Sequence, residues 1–185
     1  MKTNIEQMIS ILYYPISYTD LSHLPEELLV DEIWDDTLIN YWLLTQYKLE
    51  DLSVNSTPYD PISSLIFTHW QKIPTIAHLI GGYLLRSQLL SQGASLLIDH
   101  QLLTFISLPL VHHVEMKNVT QHMDTYAWGM AFILSQLATF PIALRQRLFL
   151  SFPAQMTLPE HPMSSHPDHI NLLRMAITYA NDYQK

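Results

Sequence analysis

Between Asp60 and Leu90 the chain reads DPISSLIFTHWQKIPTIAHLIGGYLLRSQLL, a long apolar pattern at helical spacing interrupted by Pro74 and by the adjacent glycines Gly81 and Gly82. Apolar residues recurring every three to four positions line one face of a helix and do not fit the two-residue period of a strand. The middle of the chain is therefore committed to α-structure. Asp60 stands at a cap position with Pro61 in the first turn, and Ile62, Leu65, Ile66 and Trp70 follow on one stripe. Pro74 should end or kink this helix, because its ring removes a backbone donor and clashes with the preceding turn; a new helix then runs to about Leu90. Two glycines inside a helical pattern cost about 1 kcal/mol each in propensity. Close packing of a neighbouring helix is the reason assigned to them, since the lysine and flanking glycines of a phosphate loop are missing.

Proline does the punctuation elsewhere, with eleven residues against four glycines. A first helix is expected from Ile5 to about Tyr13, stopped by Pro15, with Ile5, Met8, Ile9 and Leu12 as its apolar stripe. A second helical region opens at Pro25, placing Glu26 and Glu27 near the positive end of the helix dipole. It is split at Asp36-Thr37, after which Leu38, Tyr41, Trp42 and Leu44 set a new apolar face. Further helices are expected over 95–106, over 119–139 (with Met123, Tyr126, Ala127, Met130, Ile133, Leu134 and Leu137 on one face), from Pro141 to near Pro153, and over 168–181. Loops fall at 50–59 and 160–167. The predicted fold is mainly α, one compact domain over residues 1–185 with about seven to eight helices and room for one short strand pair near 107–116.

Charge divides the chain unevenly. Residues 1–60 carry eleven acids against Lys2 and Lys48, a net −9, whereas residues 61–185 carry seven bases and six acids, a net +1. Nucleic acid would require a basic stripe, and the few bases are scattered, so no nucleic-acid partner is expected. The acidic third suits a basic protein surface instead; a solvated acidic face that keeps the protein soluble is the plainer alternative. Apolar residues make up 48% and charged residues 14%, which leans towards a surface partly covered by partners. Cysteine is absent, which removes disulfides, thiolate metal sites and cysteine nucleophiles together. With no signal-like start and no apolar window of ~18 residues, a cytoplasmic chain with no direct membrane insertion is expected.

Ten histidines invite a catalytic reading, and spacing argues against it. A zincin-type pair needs two histidines four apart with a glutamate between them, and His112-His113-Val114-Glu115 lacks that spacing. His161, His166 and His169 lie near Glu160 and Asp168, and they carry the alternative reading of a helical metal-dependent hydrolase or ligand-binding domain. His69 and His78 are read as satisfied, partly buried side chains packing beside Trp70. The pairs Asp31-Glu32 and Asp35-Asp36 sit where solvent faces them, with nothing to raise a pKa for acid catalysis. No catalytic residue, cofactor or metal is assigned. Trp42, Trp70 and Trp128 fall on apolar stripes and are read as core. Trp34, flanked by those acidic pairs, fits a binding patch rimmed by charge. The segment Glu26, Glu27, Asp31, Glu32, Trp34, Asp35 and Asp36 is therefore the candidate partner-binding site.

The order Trp70, Ile73-Pro74, Ala77-His78, Leu79-Ile80-Gly81 resembles the central signature of the OrgA/MxiK (SctK) family of type III secretion proteins. The stretch ISILYYPISYTDLSHLPEELL from Ile9 to Leu29 is similar to that family's opening segment, and Leu150 to Pro153 to its ending. Trp70, Pro74, His78 and Gly81 are the signature positions. The resemblance implies a non-enzymatic adaptor of the injectisome sorting platform, peripheral to the inner membrane. Its implied partners are the cytoplasmic domain of the inner-membrane ring protein (SctD-like) and the pod protein (SctQ-like), and through the latter the ATPase and its regulator. The motifs themselves carry no interface position.

Overall fold

The computed structural model describes residues 2–30, 34–52, 60–92, 99–109, 124–137, 140–159 and 169–182. Among these the chain is mainly α, as expected, with ten α-helices and three short 3-10 turns and no strand. The strand pair envisaged near 107–116 falls mostly outside the described residues, and 107–109 are not extended into a sheet. The helices gather into two compact units, Met1–Thr68 with Thr139–Met156, and His69–Ala138 with Thr157–Lys185.

The first unit contains α1 (Lys2–Tyr13), α2 (Glu26–Val30), α3 (Asp36–Gln46), α4 (Pro61–Thr68) and α9 (Ile142–Leu150). Asp60 caps α4 as read from the sequence, its Oδ1 accepting the N–H groups of Ile62 at 3.0 Å and Ser63 at 2.9 Å. Helix α1 packs on α9, but on a different face from the expected one. Ile11 and Leu12 are buried, while Ile5 and Ile9 of the predicted stripe are exposed. After α1, Pro15 is itself buried and starts a 3-10 turn at Pro15–Ser17. A separate cluster of Leu24, Leu28, Ile39 and Leu43, with Ile16 and Trp42 against it, joins α2 and α3. Asn40 fixes α3 to the 3-10 turn by accepting the Ile16 N–H at 2.9 Å.

The second unit is built around α5 (Ile73–Leu84), which packs against α7 (His100–Ile106), α8 (Thr125–Gln136) and α10 (His169–Asp182); α6 (Arg86–Gln92) follows it directly. Pro74 lies in the first turn of α5, so it starts the helix. The single helix expected to Leu90 is two, because Leu85 leaves the helical region and its N–H closes back on Gly81 O at 2.9 Å. Eight of the twelve positions of α5 are buried, including Ile73, Ile76, Ala77, Leu79, Ile80 and Tyr83, and none is exposed, as suits a helix apolar on most sides. Its neighbour α8 buries Trp128, Met130, Phe132 and Ile133, whereas Tyr126 of the predicted face is exposed and Leu134 half-buried.

The glycines explain how the two helices approach. A Cβ added to Gly81 would lie 1.8 Å from Thr125 O, and one added to Gly129 would lie 1.8 Å from Ala77 O. The crossing is reciprocal: each helix offers a glycine to the other's backbone. Gly82 differs, since its added Cβ would meet the Leu102 side-chain tip at 2.2 Å. Lys72, just before α5, reaches the C-terminal end of α10, donating to Asn181 Oδ1 at 2.8 Å and to Ala180 O at 3.4 Å. A cation there complements the negative end of the helix dipole.

Candidate interaction surface

Surface exposure in the two units is lopsided. Of the twelve exposed large hydrophobic side chains among the described residues, eleven belong to the first unit and only Tyr126 to the second. Single exposed apolar residues are ordinary, but their concentration among the described residues of the first unit gives that unit apolar surface a partner could cover.

Within it, the sequence-predicted patch lies on α2 and the start of α3. Glu26 and Glu27 occupy the first turn of α2 and are exposed, as are Trp34, Asp35 and Asp36. Asp31 and Glu32 lie outside the described residues. The cap of α3 is Asp35, one residue earlier than the split read from the sequence, and its Oδ1 accepts the Leu38 N–H at 2.9 Å. Asp35 and Asp36 thus have a local use at the positive end of α3. Their charge is nevertheless uncompensated by sequence: Lys2 and Lys48 are the only bases in the first 60 residues.

What holds this surface in place was not read from the sequence. Arg147, in α9, is fully buried and gives four hydrogen bonds to backbone carbonyls. Nε and Nη2 donate to Leu12 O at 3.1 and 2.9 Å, and Nη1 to Glu50 O at 2.8 Å and Ala143 O at 2.9 Å. One guanidinium thereby ties the end of α1 to the segment after α3. Burial pushes its pKa down, against the pull of Tyr18, Asp51 and Tyr13; the same burial pushes the Tyr18 hydroxyl far up. Nearby, His23 Nε2 donates to Phe152 O at 2.7 Å, and its Nδ1 lies 3.1 Å from the Tyr47 hydroxyl. The Asp20 N–H donates to Leu150 O at 2.8 Å, so the entry to α2 is fastened to the end of α9.

The signature residues lie elsewhere, in the second unit. Trp70 is buried, Pro74 starts α5 and Gly81 forms the helix crossing. His78 stacks on Tyr126, with centroids 4.7 Å apart, and its ring nitrogens are both engaged: Nε2 with Asp99 Oδ2 at 2.7 Å and Nδ1 with Thr125 Oγ1 at 2.6 Å. Asp99 also caps α7, its Oδ1 accepting the Leu102 N–H at 2.8 Å. Burial raises the Asp99 pKa, but hydrogen bonds from Leu102 and His78 outweigh it and hold the carboxyl below its ordinary value. A hydroxyl, an imidazole and a carboxylate in line invite comparison with an acyl-transfer triad. The arrangement is inverted, however: the carboxylate meets Nε2 and the hydroxyl Nδ1, and Thr125 is only 8% exposed at the first position of α8. The cluster is a brace that joins the starts of α7 and α8 to α5.

Of the C-terminal histidines, His161 and His166 lie outside the described residues. His169 is buried at the start of α10, with its Nδ1 3.3 Å from Gln136 Nε2 and its ring against Phe132. Among the described residues no group of three or more histidine, aspartate or glutamate side chains could hold a metal. No described helix is long and apolar enough to cross a membrane.

A family model described as bacterial type III secretion apparatus protein (OrgA_MxiK) covers residues 8–182, nearly the whole chain. Searches of curated proteins and of solved structures return no match.

Proposed function

We propose, from the premise that the chain belongs to the OrgA_MxiK family of bacterial type III secretion apparatus proteins, that it acts as a non-enzymatic adaptor within that apparatus. In this reading residues 1–185 work as one adaptor domain on the cytoplasmic side of the inner membrane. The adaptor links the cytoplasmic domain of an SctD-like ring protein to an SctQ-like pod protein, and so to the ATPase complex. The observation that carries the reading is the family match over 8–182. The concentration of exposed apolar side chains on the first unit agrees with a chain that works through contacts.

The acidic segment Glu26 to Asp36 is the surface we assign to the ring partner, because opposite potentials steer encounter and fix register. The test is a binding titration against the cytoplasmic domain of the ring protein at physiological salt, using the triple reversal Asp31→Lys, Asp35→Lys and Asp36→Lys. Weakened binding that becomes insensitive to added salt is expected. Unchanged affinity in a folded triple variant would remove the acidic segment from the interface.

A further inference from the structure

We infer that the exposed face of α3, with Trp34 before it, is a docking ridge for a basic amphipathic helix of a partner protein. The inference rests on the adaptor reading above and adds the chemistry of what is bound. Ile39 and Leu43 are buried in the cluster with α2, and Asn40 is fastened to Ile16, so among the described residues these contacts hold α3 from one side. The opposite side carries Leu38, Tyr41 and Thr45 at positions i, i+3 and i+7, one face of the helix. Tyr41 is 68% exposed, Leu38 45% and Trp34 37%. Thr45 adds little polarity to this face, since its hydroxyl donates to Tyr41 O at 2.9 Å and Trp42 O at 3.0 Å within the helix. The result is an apolar and aromatic ridge about two turns long, enriched in the side chains that dominate contact energies.

Charge selects the occupant. Asp35 and Asp36 are exposed at the start of α3, at one end of the ridge, Glu26 and Glu27 are exposed on α2, and no lysine or arginine occurs between Lys2 and Lys48. A second copy of this chain would set acid against acid across the ridge, and like charges at an interface cost several kcal/mol. An anionic lipid surface or a nucleic acid would be repelled in the same way. A protein segment with Lys or Arg flanking apolar residues at helical spacing satisfies both features, in the manner of an amphipathic helix laid along an apolar track.

The experiment places a photo-crosslinking amino acid at Tyr41 in the intact chain, produced in its own bacterium with the secretion apparatus present, and maps the crosslinked peptide by mass spectrometry. The expected peptide carries at least two Lys or Arg around apolar residues spaced i, i+3 or i+4. In titrations with that peptide, Leu38→Ser and Tyr41→Ser should each weaken binding about tenfold or more. Glu26→Gln with Glu27→Gln should reduce the salt dependence, and Leu38→Ser and Tyr41→Ser should leave the urea midpoint nearly unchanged. A crosslink to a second copy, to lipid, or to a peptide without Lys or Arg overturns the inference. Unchanged affinity of the Leu38 and Tyr41 variants, while the chain still recovers apparatus proteins, overturns the ridge and spares the adaptor reading. Recovery of no apparatus protein by wild-type chain overturns both.

Discussion

Adding one methyl group at Gly81 tests the packing of the second unit. In Gly81→Ala the new Cβ would stand 1.8 Å from Thr125 O, 2.6 Å from Thr125 C and 2.9 Å from Thr125 Cα, all backbone atoms at the start of α8. No rotamer change can relieve such a contact, so α5 and α8 must separate by roughly 2 Å to restore ordinary contact distances. Thr125 is also the residue that hydrogen-bonds His78, and the separation strains that brace. Overpacking of this kind costs about 3 kcal/mol. Alanine returns about 1 kcal/mol through its better helix propensity. The net loss of about 2 kcal/mol corresponds to a fall of about 4–8 °C in melting temperature for a chain of this size. Urea and thermal unfolding followed by circular dichroism provide the assay, with Gly82→Ala as the internal comparison. Gly82→Ala meets only the movable end of Leu102, so it should cost less. Gly129→Ala acts on the same crossing from the other helix. Once one methyl has pushed the helices apart the second has room, and the double variant should lose less than the sum of the two singles. A Gly81→Ala protein as stable as wild type, or more so, would refute the crossing.

Other outcomes follow from the same contacts. Arg147→Ala should destabilise by about 3–5 kcal/mol, since Leu12 O and Glu50 O lose their donor inside the protein; hydrogen exchange should quicken at the end of α1 and after α3. Asp99 is held below its ordinary pKa, so the unfolded chain takes up the proton first as pH falls. Its contribution is full above about pH 4 and is lost as pH drops through the lower folded value. Asp99→Asn should therefore flatten the acid limb of a stability-against-pH curve. The surface variants Leu38→Ser and Tyr41→Ser should change unfolding free energy by no more than about 0.5 kcal/mol, a result read from urea midpoints.

Features legible in the sequence were those set by neighbouring residues. Asp60 with Pro61, Pro74 and Pro141 each mark a helix start that the structure contains, because capping and proline geometry act within one turn. The Gly81-Gly82 pair pointed to close packing, and Gly81 provides it. Features set across the fold were not legible. Ile5 and Ile9 share a helical stripe with Leu12, but which side faces inward is decided by α9, more than a hundred residues later. His78 was read as satisfied, yet its partners Asp99 and Thr125 come from 21 and 47 residues away, and its ring lies on Tyr126. Arg147 gave no signal beside Arg145 and Gln146, because its partners are backbone carbonyls that no residue type announces. On the candidate surface, the acids and Trp34 were visible as composition. The ridge of Leu38 and Tyr41 was not, since the sequence groups them with Trp42 and Leu44 as one apolar set, whereas the structure buries Ile39 and Leu43 instead.

The proposal on which the rest depends is that this chain joins two other proteins of the secretion apparatus. Its most direct test is affinity capture of the tagged chain from native lysate, with the recovered proteins identified by mass spectrometry. The account predicts that the inner-membrane ring protein and the pod protein are recovered together, in amounts comparable to the bait. A chain recovered alone, or with neither of these proteins, would contradict it.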